Sequence, residues 1–236
     1  MLRIKRCSNY DGMSCAMIAD FISYVKELLN TKDFLSIAIA TGFTTEQFIL
    51  SLKHADIPFD RIDLYIVDEY VGISHLDQHS CTIDLLQPLG TLSKEFRSIK
   101  IFSVNNFREE MKRYHQELIR NGLDICVLGV GDDGHVGFCY PPADINTNEF
   151  YQLVKLSNDR KNEHFSKGWF PSINVVPDHV ITLSLWGMLH SSIIMVGAMY
   201  ENKKDVILHM INRDISPYEC PILYFIEHNN LMLYIG

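Results

Sequence analysis

The sequence predicts an α/β protein: one single-domain, open, mostly parallel sheet with helices on both faces, Rossmann-like, over residues 1–236. Three observations carry this. Short apolar runs alternate with stretches of helical periodicity along the whole chain, the pattern of repeated strand–helix units. Several runs end in glycines, hydroxyls and acids, at residues 41–45, 68–72 and 129–135, the loops that carry ligands at the carboxyl ends of such strands. No repeat, low-complexity tract or linker-like stretch divides the chain.

The elements follow in order. Met17, Ile18, Phe21, Ile22, Val25, Leu28 and Leu29 fall at helical spacing behind Asp11, which predicts a helix over about 10–30. FLSIAIATG (34–42) is a buried strand closed by glycine, and TTEQFILSLKHA restarts as a helix. RIDLYIVDEY is a second strand ending in acids, and SIKIFSV a third. Phe107, Met111, Tyr114 and Leu118 mark an amphipathic helix, followed by a fourth strand, LDICVLGVG. After Pro142 the pattern is less regular through KNEHFSKGWFPSINVVP, where Trp169 and Phe170 either cover a site or fill a core edge. HSSIIMVGAM reads as a strand, ENKKDVILHMINR as a helix, and PILYFIE and NLMLYIG as the last two strands.

Composition narrows the function. With 47% hydrophobic and 21% charged residues, the 236-residue chain can bury a sizeable core. A net charge of −8 without a long basic run argues against a nucleic-acid partner, yet leaves room for a locally positive pocket that takes a small anion. Six scattered cysteines form no C-x-x-C pair, so a metal knuckle is not expected; reduced thiols in a cytoplasmic protein are. The N-terminus has no signal-peptide core, and no run nears the ~20 apolar residues that span a bilayer, so no membrane partner is expected.

Three segments carry chemistry. In ATGFTTEQF a strand, a glycine and hydroxyls precede a helix: either a phosphate seat on free N–H groups or a helix capped by Thr44 or Thr45. In VDEYVG, Asp68 and Glu69 close a buried strand, where a carboxylate serves as a general base or as a capping loop acid. GVGDDGHVG is a weak match to a dinucleotide loop. It also sets Asp133 two residues before His135, an acid–imidazole pair whose carboxylate fixes the ring's tautomer and raises its basicity.

In this order and register these segments resemble the glucosamine-6-phosphate deaminase/isomerase and 6-phosphogluconolactonase family. Its TG-x-T, DE[YWR] and LG-x-G-x-DGH motifs stand here as Thr41–Thr44, Asp68–Tyr70 and Leu128–His135. YENKKDVI looks like its late helix with a phosphate-binding lysine, which maps to Lys203. The Asp68-Glu69-Tyr70-Val71-Gly72 run and Val136-Gly137-Phe138 after His135 resemble the deaminase branch. GLDICVLGVG and LLQPLG are similar to galactosamine-6-phosphate isomerases.

The resemblance implies an enzyme that needs no cofactor or metal and acts on a sugar phosphate, with a homo-oligomer as a further expectation. Asp68 would move a proton between C2 and C1 of an opened amino-sugar phosphate. His135, oriented by Asp133, would assist ring opening. The phosphate would rest on Gly42, Phe43 and Thr44, with Lys203 and a base from Arg160 or Lys161. Two positions depart from the family. Phe43 replaces a small residue, and Tyr140 stands where the deaminases carry a glutamate, five residues after the histidine and before a proline. A phenol with an unperturbed pKa near ~10 is a donor at neutral pH and a poor base. Asp132, Asp144 and Glu149 are the other acids nearby. The alternatives to deamination are a lactonase, which needs only a base-activated water, and a catalytically idle sugar-phosphate sensor.

Overall fold

The computed structural model describes residues 2–236. Seven parallel strands form the main sheet. From one edge they are β1 (Arg3–Arg6), β10 (Leu231–Ile235), β9 (Ser191–Ala198), β6 (Leu123–Gly129), β2 (Leu35–Ile39), β3 (Ile62–Ile66) and β5 (Ser98–Lys100). Every residue of β2, β3 and β10 is buried, as a parallel sheet covered on both faces requires. The strand direction of travel reverses between β2 and β6, so their carboxyl ends open the crevice in which such sheets bind ligands.

The covering helices are α1 (Tyr10–Leu28), α2 (Phe43–Ser51), α3 (Cys81–Leu89), α4 (Phe107–Asn121), α5 (Asn158–Ser166), α6 (Leu185–Leu189) and α7 (Tyr200–Asn212). The apolar stripe of α1 buries Met13, Met17, Phe21 and Val25, matching its spacing. Among the described residues no helix is long and apolar enough to cross a membrane.

Three expectations are corrected. RIDLYIVDEY is not one strand: at Val67 the chain leaves the parallel sheet, because the Val67 carbonyl accepts the N–H of Leu183 at 2.8 Å. Asp68–Tyr70 then forms β4, antiparallel to β8 (His179–Leu183), which also pairs with β7 (Tyr151–Lys155). PILYFIE is a single 3-10 turn, Pro221–Phe225; four of its five residues are buried, and a short apolar run cannot tell a buried strand from a buried turn. The less regular stretch after Pro142 holds β7, α5 and a 3-10 turn at Ile173–Val175.

Candidate active site

A cavity of about 840 Å³ lies at the carboxyl ends of β2 and β6. Thr41–Thr44, Asp68, His135, Tyr140 and Lys203 all line it, although they are spread over 163 positions from 41 to 203.

The anion end is built from β2 and α2. Gly42 is the cap residue, with φ 127°, and no side chain caps the helix. The Gly42 carbonyl accepts the N–H groups of Thr45 and Glu46 at 3.0 and 3.1 Å. Those of Phe43 and Thr44 precede the intrahelical ladder and are left for an anion at the helix's positive end. The capping alternative therefore fails: Thr45 donates its hydroxyl back to Ala40 at 2.7 Å, and the Thr44 side chain packs on Gly129. The ring of Phe43 is 65% exposed and stacks on Tyr10, centroids 5.4 Å apart. Tyr10 donates to the Phe43 carbonyl at 2.5 Å and accepts the Gln47 N–H at 3.2 Å, which fixes the loop. Lys203, on α7, is paired with Asp132.

The register left open between Arg160 and Lys161 resolves against both as cavity-lining cations. The two follow one another on α5 and point about 100° apart. Lys161 pairs with Asp178 at 2.8 Å, away from the cavity. Arg160 stands behind the wall, 2.5 Å from Asp133 and 2.7 Å from Glu163, with its guanidinium 4.0 Å above the Tyr140 ring. A second cation that lines the cavity, besides Lys203, is Lys167, held by Glu163 at 2.5 Å. Its signal was in the sequence: Arg160, His164 and Lys167 are spaced i, i+4, i+7, one face of a helix.

The adjacent acids Asp68 and Glu69 divide the two readings between them. Glu69 accepts from the hydroxyls of Ser80 and Thr82 at 2.6 and 2.5 Å and from the N–H groups of Tyr70, Cys81 and Thr82, so it anchors the start of α3. Asp68, opposite Thr182 across the β4–β8 ladder, accepts the Thr182 hydroxyl at 2.5 Å, and no cation pairs with it among the described residues. Burial pushes its carboxyl up to about 7 against the pull of that bond. Thr182 was invisible in the sequence because β8 was.

The glycine-rich loop after β6 follows from side-chain crowding. The His135 imidazole lies over Gly131: a Cβ there would stand 2.0 Å from its Cε1. Gly137, at φ 54°, passes so close that a Cβ would stand 2.8 Å from Asp68 Oδ1 and 2.7 Å from Thr182 Oγ1. Asp133 Oδ1 lies 2.6 Å from Nδ1 of His135 and also accepts its N–H, leaving Nε2 for a ligand. Partial burial works against ionisation of Asp133, but His135 and Arg160 overcome it and hold the carboxyl well below the usual range. Tyr140 packs on His135, ring centroids 4.8 Å apart. Trp169 rims the cavity while Phe170 is buried against Tyr70, so the two aromatic residues take one expected role each.

A buried carboxylate, a carboxylate-oriented imidazole and an uncapped helix N-terminus meet around one cavity of an α/β protein. The family model for glucosamine-6-phosphate isomerases/6-phosphogluconolactonase matches residues 8–233, and the chain belongs to that family. It is 28% identical over 242 residues to the glucosamine-6-phosphate deaminase of Clostridium acetobutylicum, covering 99% of this chain and 97% of that one. It is 24% identical over 208 residues to that of Bacillus cereus strain B4264, covering 88% and 78%. Among solved structures, a monomeric glucosamine-6-phosphate deaminase superposes with a TM-score of 0.83 at 23% identity, over 99% of this chain and 96% of that one. The 6-phosphogluconolactonase of Thermotoga maritima superposes at 0.76 with 16% identity, over 100% and 99%.

Proposed function

We propose that the protein is an amino-sugar-phosphate isomerase/deaminase that converts a hexosamine 6-phosphate to a ketose 6-phosphate and ammonia. The observation that carries this is Asp68, a buried carboxylate with no cation paired to it among the described residues, in the cavity that His135 and the N-terminus of α2 share. A carboxyl held near neutrality can take a proton from C2 and return it to C1. The phosphate sits on the N–H groups of Phe43 and Thr44, with Lys203 and Lys167 as cations; Lys203 leaves Asp132 for it. Asp133 holds His135 so that Nε2 meets the sugar ring, and Arg160 braces Asp133.

The finer reading, a galactosamine 6-phosphate substrate, rests on the likeness of GLDICVLGVG and LLQPLG to isomerases of that sugar. One residue favours a second reading. Tyr140 replaces the deaminase glutamate, and a lactonase would need only a water activated by a base. The two separate in a turnover panel of glucosamine 6-phosphate, galactosamine 6-phosphate and 6-phosphogluconolactone. Ammonia release from a hexosamine phosphate is the expected result. Brisk lactone hydrolysis without ammonia release replaces the first reading with the second.

A further inference from the structure

The hydroxyl of Tyr140 is already engaged. Its oxygen lies 2.8 Å from Nε2 of His164, and Nδ1 of the same ring lies 3.2 Å from the hydroxyl of Tyr70. His164 is fully buried, Tyr70 is 5% exposed, and Tyr140 is half-buried on the cavity wall. Burial pushes His164 down to about 4, so near neutrality its ring has one donor and one acceptor nitrogen.

Three groups sharing two bonds leave two self-consistent proton arrangements. In one, Tyr140 donates to Nε2 and Nδ1 donates to Tyr70, whose own proton must then turn to the inner edge of the cavity that Tyr70 also touches. In the other, Tyr70 donates to Nδ1, Nε2 donates to the Tyr140 oxygen, and the Tyr140 proton turns into the cavity, where water or substrate receives it. A hydroxyl donor that is less reached by water costs more to leave without a protein partner. Tyr70 is the more buried of the two, so the second arrangement prevails.

We propose that Tyr70 and His164 are positioning residues that make Tyr140 a one-way proton donor into the cavity, aimed at the ring oxygen of the cyclic hexosamine 6-phosphate. This rests on the amino-sugar reading and supplies the acid that the missing glutamate would have provided. As the bond between C1 and the ring oxygen breaks, its electron pair takes the Tyr140 proton. The hydroxyl on C1 gives its proton to Nε2 of His135 and becomes the carbonyl. The transient phenolate is met by the His164 N–H and by Arg160 above its ring, and the imidazolium by Asp133. The adjacent His135 and Tyr140 rings pass the proton back, so both residues are restored with no co-reactant.

The test isolates ring opening. With Asp68→Asn the C2 proton cannot move, so α–β anomer exchange of hexosamine 6-phosphate, read by NMR magnetisation transfer, reports opening alone. The expected result is exchange well above the uncatalysed rate with Asp68→Asn. Adding Tyr140→Phe, Tyr70→Phe or His164→Phe should cut it by ~10²-fold at unchanged affinity for the sugar phosphate. His164→Gln, which keeps an N–H for Tyr140 and an oxygen for Tyr70, should retain most of it. Tyr70→Phe and Tyr140→Phe remove only a hydroxyl, so they decide the matter should His164→Phe not fold. Exchange that survives loss of the Tyr70 or Tyr140 hydroxyl, or that is absent while the unsubstituted protein releases ammonia, overturns this proposal alone. An unsubstituted protein that releases no ammonia overturns the amino-sugar reading and this proposal with it.

Discussion

Asp68 and Asp133 serve the same cavity from opposite environments. Asp68 sits at the start of an antiparallel strand, buried, with the Thr182 hydroxyl as its close partner and no cation beside it among the described residues, and burial pushes its carboxyl up to about 7. Asp133 stands behind His135, gripped by that ring at 2.6 Å and by Arg160 at 2.5 Å, and its carboxyl is held low. The same functional group is thereby held in two opposite protonation regimes. A carboxyl that titrates near neutrality can accept and return a proton; one held permanently charged can only orient and stabilise its neighbour.

The contrast breaks most visibly at Asp68. Asp68→Asn keeps the shape and the Thr182 bond but removes the base, so ammonia release should fall by ~10²-fold or more, with phosphate-ester binding nearly unchanged in a competition assay. Stability should move the other way. A carboxyl raised from 3.8 to about 7 contributes stability that is present below its unfolded value and lost as pH rises through about 7. Denaturant unfolding at pH 8 should therefore show the asparagine variant as the more stable, with a ceiling of roughly 4 kcal/mol, and the two proteins should converge by pH 4.

Asp133→Asn should cost less, ~10–10²-fold in turnover, because His135 remains in place and loses only its tautomer and its counter-charge. Unlike Asp68→Asn it should lower stability above pH 4, since a carboxyl held low contributes stability that is lost only as pH falls through its folded value. Gly137→Ala tests the backbone packed against Asp68. Its φ of 54° and the approach to Asp68 and Thr182 should cost about 1–3 kcal/mol of stability and shift the acidic limb of the turnover profile as Asp68 is displaced. The smallest effects belong to the anion end. Lys203→Ala and Lys167→Ala should each raise KM by ~10-fold at a kcat changed far less, the signature of lost uniform binding. A Lys161→Ala variant should leave KM alone, because that lysine is paired with Asp178 outside the cavity.

The anion end was the more legible of the two. The strand–glycine–helix pattern at residues 34–51 is local, and so is the D-x-H spacing of Asp133 and His135. The main sheet was legible for the same reason: β2, β6 and β9 are long apolar runs closed by glycine or small residues. What surrounds Asp68 was not. Its partner Thr182, and Tyr70 with His164, meet through the small antiparallel sheet and α5, whose half-buried strand β7 and polar helix carry weak periodicity. The edge strand β1, four exposed residues, had no apolar signal at all. The departure at Tyr140 was visible as a letter, but its engagement with His164 required the fold.

The most direct test of the account follows the proton that Asp68 is held to carry. The protein turns over a hexosamine 6-phosphate in D2O, and the ketose 6-phosphate product is examined by NMR. The expected result is one equivalent of ammonia per ketose, the new C1 hydrogen on a single prochiral face, protium carried from C2 or deuterium where the Asp68 carboxyl has exchanged with solvent, and no ketose with Asp68→Asn. Ammonia release that persists at the full rate with Asp68→Asn, or a ketose labelled without facial preference, would contradict it.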